Sequence, residues 1–120
     1  MNAPEIRLDI LIKKEDGYYS AHCLQFDILA TEDSLKAAQD AIVDLCIAHI
    51  RFSYENNNMD YLFSPAPGEA WAEYYAYLSK KKCSFEQKQL DIHIDAKDPS
   101  QLLLPPFMIQ EILCHDQPAW

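Results

Sequence analysis

The residues able to do chemistry are few, and their spacing limits them further. Asp91, His93 and Asp95 alternate along 85–95. On an extended chain they share one face, an order that suits a divalent metal or a base with orienting carboxylates. Any half-exposed strand has the same alternation, so solvation alone accounts for it. His22 and Cys23 are adjacent and fall on opposite faces of a strand, where they cannot act as base and nucleophile. His49 sits on the apolar side of a long helix and reads as a hydrogen-bonded core histidine, and His115 as a helix-end cation. The cysteines, Cys23, Cys46, Cys83 and Cys114, lie far apart with no CxxC pair. They read as buried free thiols and not as a zinc site. Gly17 and Gly68 are the only glycines, and neither belongs to a phosphate loop or dinucleotide fingerprint. HExxH and GxSxG are missing as well. These residues argue against an enzyme: no catalytic group, cofactor or metal is expected.

Charge narrows the partners. A formal net charge of −9 repels phosphate at long range, so direct nucleic-acid binding is not expected, and a basic protein suits this surface better. The basic run Lys80-Lys81-Lys82 falls at the end of a helical pattern, where it complements the helix dipole. At 120 residues and 49% hydrophobic content, the chain can bury one core without a metal or disulfide staple. Its apolar runs are far short of the roughly 20 residues needed to cross a bilayer. The N-terminal MNAPEIRLDI lacks the pattern of a signal peptide, so the expected location is the cytoplasm.

The elements that must hold these residues are organised by 34–54, the longest helical pattern, free of Gly and Pro. Leu35, Ala38, Ile42, Leu45 and His49 or Ile50 recur at the spacing of one helix face, and Ser34 is placed to cap the first turn. Val43, Ile47, Ile50 and Tyr54 make a second stripe, with Asp40, Asp44 and Arg51 left on a narrow wet edge. A helix this apolar is expected to be covered on two sides. Before it, Ile6, Leu8, Ile10 and Ile12 alternate as a strand, Lys13 to Gly17 forms a charged turn, and 18–23 and 26–31 follow as strands. Short connections make these three antiparallel neighbours, with the helix across one face.

Residues 6 to about 55 resemble the HicB family of antitoxins. The resemblance rests on the hydrophobic strand, the acidic turn ending in Gly17, the run Gly17-Tyr18-Tyr19-Ser20-Ala21-His22-Cys23, a third strand, and Thr31-Glu32-Asp33-Ser34-Leu35-Lys36-Ala37-Ala38 leading into the helix. It implies a truncated, double-stranded-RNA-binding-like β-β-β-α-β domain over 1–63, in which a last short strand, 61–63, pairs with the sheet. It also implies a protein that covers the active site of a small basic ribonuclease toxin. Many relatives repress their own operon, but 61–120 lacks the basic helix-turn-helix pattern that operator binding needs. Glu15, Asp16, Asp40 and Asp44 would steer such a partner, and Val43 and Ile47 would supply its apolar contact.

The remainder, 64–120, reads as a helix-strand-helix extension packing on the first part as one globular unit. After the break Ser64-Pro65-Ala66-Pro67-Gly68 comes a helix over 69–81 with the stripe Trp71, Tyr74, Tyr75 and Leu78, expected to cover the back of the first helix. A strand follows over 85–95, then a short apolar element over 106–115. The fold class is therefore α+β, an antiparallel β-β-β-α(-β) meander with the main helix on one sheet face plus a C-terminal extension. Two functions are compatible with it. One is a HicB-like protein-binding module, a homodimer or larger. The other is a small-molecule-binding or enzymatic protein with a pocket between Trp71, Tyr75 and the His93 strand.

Overall fold

The first strand is apolar on both sides, and that fixes the architecture. Leu8, Ile10 and Ile12 point to one face of β1 (Ile6–Lys14) and Leu11 to the other, all buried. A strand buried on both faces must lie inside a sheet that is covered on both sides. The computed structural model describes residues 5–79, 83–93 and 105–114. In chain order β1 is followed by β2 (Tyr19–Cys23), β3 (Ile28–Glu32), α1 (Leu35–Glu55), α2 (Gly68–Leu78), β4 (Cys83–Gln89) and β5 (Phe107–Cys114). One turn of 3-10 helix, Met59–Tyr61, separates the two α-helices.

The five strands form one mixed sheet in the order β3-β2-β1-β5-β4, an α+β arrangement. β1 pairs antiparallel with β2, and β2 with β3, which begins at Ile28 and not at 26. Gly17, with φ of 85°, turns the chain between β1 and β2 in a conformation that residues with a Cβ rarely adopt. Between β2 and β3 the turn runs through Asp27 at φ 54°, and the Leu24 N–H donates to the Asp9 carbonyl at 3.0 Å. β5 lies parallel to β1, from Ile6 opposite Phe107 to Ile12 opposite Leu113, and β4 pairs antiparallel on its outer side.

Each face carries one helix. On the first, Ala38, Ile42, Cys46 and Ile50 of α1 pack on Leu8, Ile10, Ile12, Ala21, Phe107 and Ile109. The Ser34 Oγ accepts from the Ala37 N–H at 3.1 Å and caps the helix as expected. Truncating one of these buried isoleucines to alanine costs about 2–5 kcal/mol, because the void left behind collapses only in part. On the second face, Tyr74 and Tyr77 of α2 pack on Leu11, Leu24, Ala66 and Ile112.

Four expectations are corrected. Residues 61–63 do not form a strand; Leu62 is buried in the first core, and the Ser64 and Ala66 N–H groups bond to Gln25 and Leu24 carbonyls, leading the chain over to the second face. The place beside β1 is taken by β5 instead. That apolar element, expected as a helix, is a strand because Phe107 and Ile109 fill one sheet face while Ile112 fills the other. The second helix does not cover the back of α1, because Tyr74 and Tyr77 pack on Leu11 of β1 and Ile112 of β5 on the opposite sheet face; it also ends at Leu78. The strand placed at 85–95 spans Cys83–Gln89, and Leu90 follows it into the first core. Lys80–Lys82, Asp95, His115 and Trp120 lie outside the described residues.

Cysteine chemistry divides as well. Cys23 and Cys46 are the expected buried free thiols. Cys83 is disulfide-bonded, contrary to expectation, and its register partner across the β4–β5 ladder is Cys114.

Candidate functional site

The acidic turn and the start of α1 meet at one end of the sheet. The β2–β3 register sets Tyr19 opposite Glu32, which brings Tyr18, just after the Glu15-Asp16-Gly17 turn, beside Asp33. There an open cavity of about 350 Å³ is lined by Tyr18, Thr31, Glu32 and Asp33. Its chemistry is that of a cation site: two carboxylates and the face of a half-exposed phenol suit a lysine or arginine side chain. Glu15 is drawn back toward β1, its Oε1 3.5 Å from Lys13 Nζ, while Asp16 is exposed at the turn. The sequence pointed to Glu15 and Asp16 and missed Tyr18, Glu32 and Asp33. Only the hairpin register joins the two stretches.

The other expected partner-binding residues are on α1. Asp40 is exposed and paired with Lys36 at 3.0 Å, and Asp44 is exposed. Val43 and Ile47 are half-buried against the first core, where they support the helix more than they offer a surface. The apolar side chains that α1 presents to solvent are different ones. Leu45 is 43% exposed and Phe52 58%, with exposed Ala48 between them. Phe63 is exposed too: its ring is 5.7 Å from Phe26, which in turn lies 4.6 Å from His49 of α1. His49 donates from Nε2 to the Leu62 carbonyl at 2.7 Å, the hydrogen-bonded core role expected of it.

Of the alternative pocket's residues, Trp71 and Tyr75 lie on α2, and His93 follows Leu90 beyond the end of β4. Trp71 packs with the second-face core, its ring 6.3 Å from Tyr75. Ile92, next to His93, packs with the first-face core. His93 itself is well exposed, 3.6 Å from Asp91.

Two buried carboxylates lie outside these surfaces. Asp9 is saturated: Tyr74 donates to Oδ1 at 3.0 Å, Gln25 to Oδ2 at 2.7 Å, and Arg7 Nε stands 3.2 Å from Oδ1. Burial, with the Asp9 charge beside it, pushes the Tyr74 phenol above its usual range, so it stays a donor at neutral pH. Glu111 projects from β5 to the α1 side and is 2% exposed, with Lys88 Nζ 2.6 Å from Oε1. Burial pulls the Lys88 ammonium down, but the contact with Glu111 together with the charges of Glu111, Glu86 and Asp40 leaves it raised. His22, on the face opposite Cys23, bonds to Asp27 Oδ1 at 2.8 Å. The Cys46 thiol is pushed up by its hydrogen bond with Cys23 and by burial, which leaves it inert as a nucleophile.

Among the described residues no group of His, Cys, Asp or Glu is arranged to hold a metal ion, and no helix is long and apolar enough to cross a membrane. Compared with protein-family models, curated proteins and solved structures, the chain matches none.

Proposed function

We propose that this chain is a non-catalytic protein-binding module of HicB-like type, which presents an acidic surface to a small basic protein. In the family it resembles, that partner is a ribonuclease toxin whose active site the antitoxin covers. The observation that carries the reading is the groove of Tyr18, Thr31, Glu32 and Asp33 beside the Glu15-Asp16 turn. A groove lined by a phenol and two carboxylates suits the head of an arginine, and the net charge of −9 speeds the approach of a basic protein. The β-β-β-α order of residues 6–55 supports the reading, although the strand beside β1 is β5 and not a segment that directly follows α1. Operator binding is not part of the proposal. The protein would work in the cytoplasm, where the Cys83 disulfide would be held reduced.

The test is affinity capture from its own cell extract, alongside the Glu32→Lys, Asp33→Lys double variant, with captured proteins identified by mass spectrometry. The expected result is a small basic protein whose retention falls about tenfold or more on charge reversal, as loss of two close charge pairs requires. Its purified form should cleave RNA and be inhibited by the wild type. Capture of acidic or neutral proteins only, or retention indifferent to the reversal, would overturn the reading.

A further inference from the structure

The uncovered flank of α1 has a pattern that goes beyond the groove. Ala41, Leu45, Ala48 and Phe52 follow a four-three-four spacing and form one seam along the helix, on the flank away from Val43 and Ile47. Leu45 and Phe52 are among the exposed large apolar residues, Ala48 is exposed and Ala41 half-buried. The solvent-side edge of the seam carries Asp44 just before Leu45 and Arg51 just before Phe52. Large and small residues thus alternate on the seam, and one acid and one base alternate at its edge.

We infer that two copies of this chain associate through these seams, with the two α1 helices antiparallel about a two-fold axis near Cys46 and Ile47. In that register Leu45 of each copy faces Ala48 of the other, and Ala41 faces Phe52, so every layer sets a large side chain against a small one. The same register places Asp44 of each copy against Arg51 of the other, twice. A parallel pairing would stack Phe52 on Phe52 and set alanine on alanine, leaving voids. Charge complementarity selects the occupant. A seam edged by acids alone would suit a basic protein, whereas one acid and one base seven residues apart complement their own copy inverted. Among the described residues Arg51 is held by its own Glu55 alone, at a long 3.4 Å, a contact it can exchange for the second copy.

Sedimentation equilibrium of the full chain tests this, with far-UV circular dichroism as the check on folding. The wild type is expected to be a dimer at micromolar concentration. Asp44→Arg alone, or Arg51→Asp alone, should raise the dimer Kd by about tenfold or more, since each creates two like-charge contacts. The double variant D44R/R51D should return to within about threefold of wild type, because both pairs are rebuilt with inverted sign. Phe52→Glu should be a folded monomer. A wild type that sediments as a monomer throughout, or a dimer whose Kd neither single reversal moves, would overturn the inference. The groove variant E32K/D33K lies off the seam and should dimerise normally, so failure of partner capture and failure of dimerisation are separate results.

Discussion

Tyr74, on the second helix, donates its hydroxyl proton to the Asp9 carboxylate on the first strand at 3.0 Å. The bond joins residues from the two halves of the chain inside the sheet's second face, where Tyr74 and Asp9 are both buried. With Gln25 bonded to the same carboxylate and to the Asp9 N–H, it fixes both the approach of α2 and the β2–β3 turn.

Tyr74→Phe keeps the ring and removes one donor from a buried charge. The expected loss is about 2 kcal/mol, the usual worth of a hydrogen bond to an ionised group. Urea unfolding should then show a midpoint lower by about 1–2 M at unchanged slope. A midpoint within error of wild type would mean that Arg7 and water replace the phenol fully.

How much of this was legible in the sequence depended on how local each signal is. Alternation in Ile6–Lys14, the Asp16-Gly17 turn and the Ser34 cap are set by neighbouring residues, and the meander and α1 follow them closely. Phe107–Cys114 is harder to read, because its apolar residues, broken by Gln110-Glu111, do not alternate strictly and fit a short buried helix as well as a strand. The stripe Trp71, Tyr74 and Leu78 told that α2 buries a face, but a stripe does not say against what. Leu45 was assigned to the buried side of α1, since a helix apolar on most of its circumference leaves the choice of exposed flank to tertiary packing. Beside the groove, Asp16 is legible as part of an acidic turn, whereas Glu32 and Asp33, which line it, gain meaning only from the strand register that sets Glu32 opposite Tyr19.

Lys88 and Glu111 form an ion pair that is buried on one side only. Replacing Lys88 with Met leaves a carboxylate that is 2% exposed without its counter-charge, a loss of about 2–3 kcal/mol, at the low end for buried pairs because Lys88 itself reaches water. Replacing both, Lys88→Met with Glu111→Leu, should recover the wild-type value or exceed it, since neither charge then needs desolvation. Thermal unfolding of the two single and one double variant measures this directly. A double variant as unstable as Lys88→Met would show that Glu111 contributes through contacts other than its charge.

Alkaline pH should unfold this protein earlier than its exposed charges alone would. Burial lowers the Lys13 and Lys88 ammonium groups, but the carboxylates around them, Glu73 with Glu15 and Glu111 with Glu86 and Asp40, together override it, and both end above their ordinary value of 10.5. Burial alone raises Tyr54, and burial with the Asp9 charge raises Tyr74, above an ordinary 10.0. In every case the folded state holds its proton more tightly than the unfolded one. The stabilisation is therefore complete below the unfolded values and is lost as pH rises through the folded ones. The unfolding free energy, from urea titrations, should be level between about pH 7 and 9 and fall steadily above about pH 10. Tyr74→Phe removes one of the responsible protons, so its curve should start lower and fall less steeply. Parallel curves for the two proteins would show that Tyr74 titrates alike in the folded and unfolded chains, against the burial and the Asp9 contact that hold its proton in place.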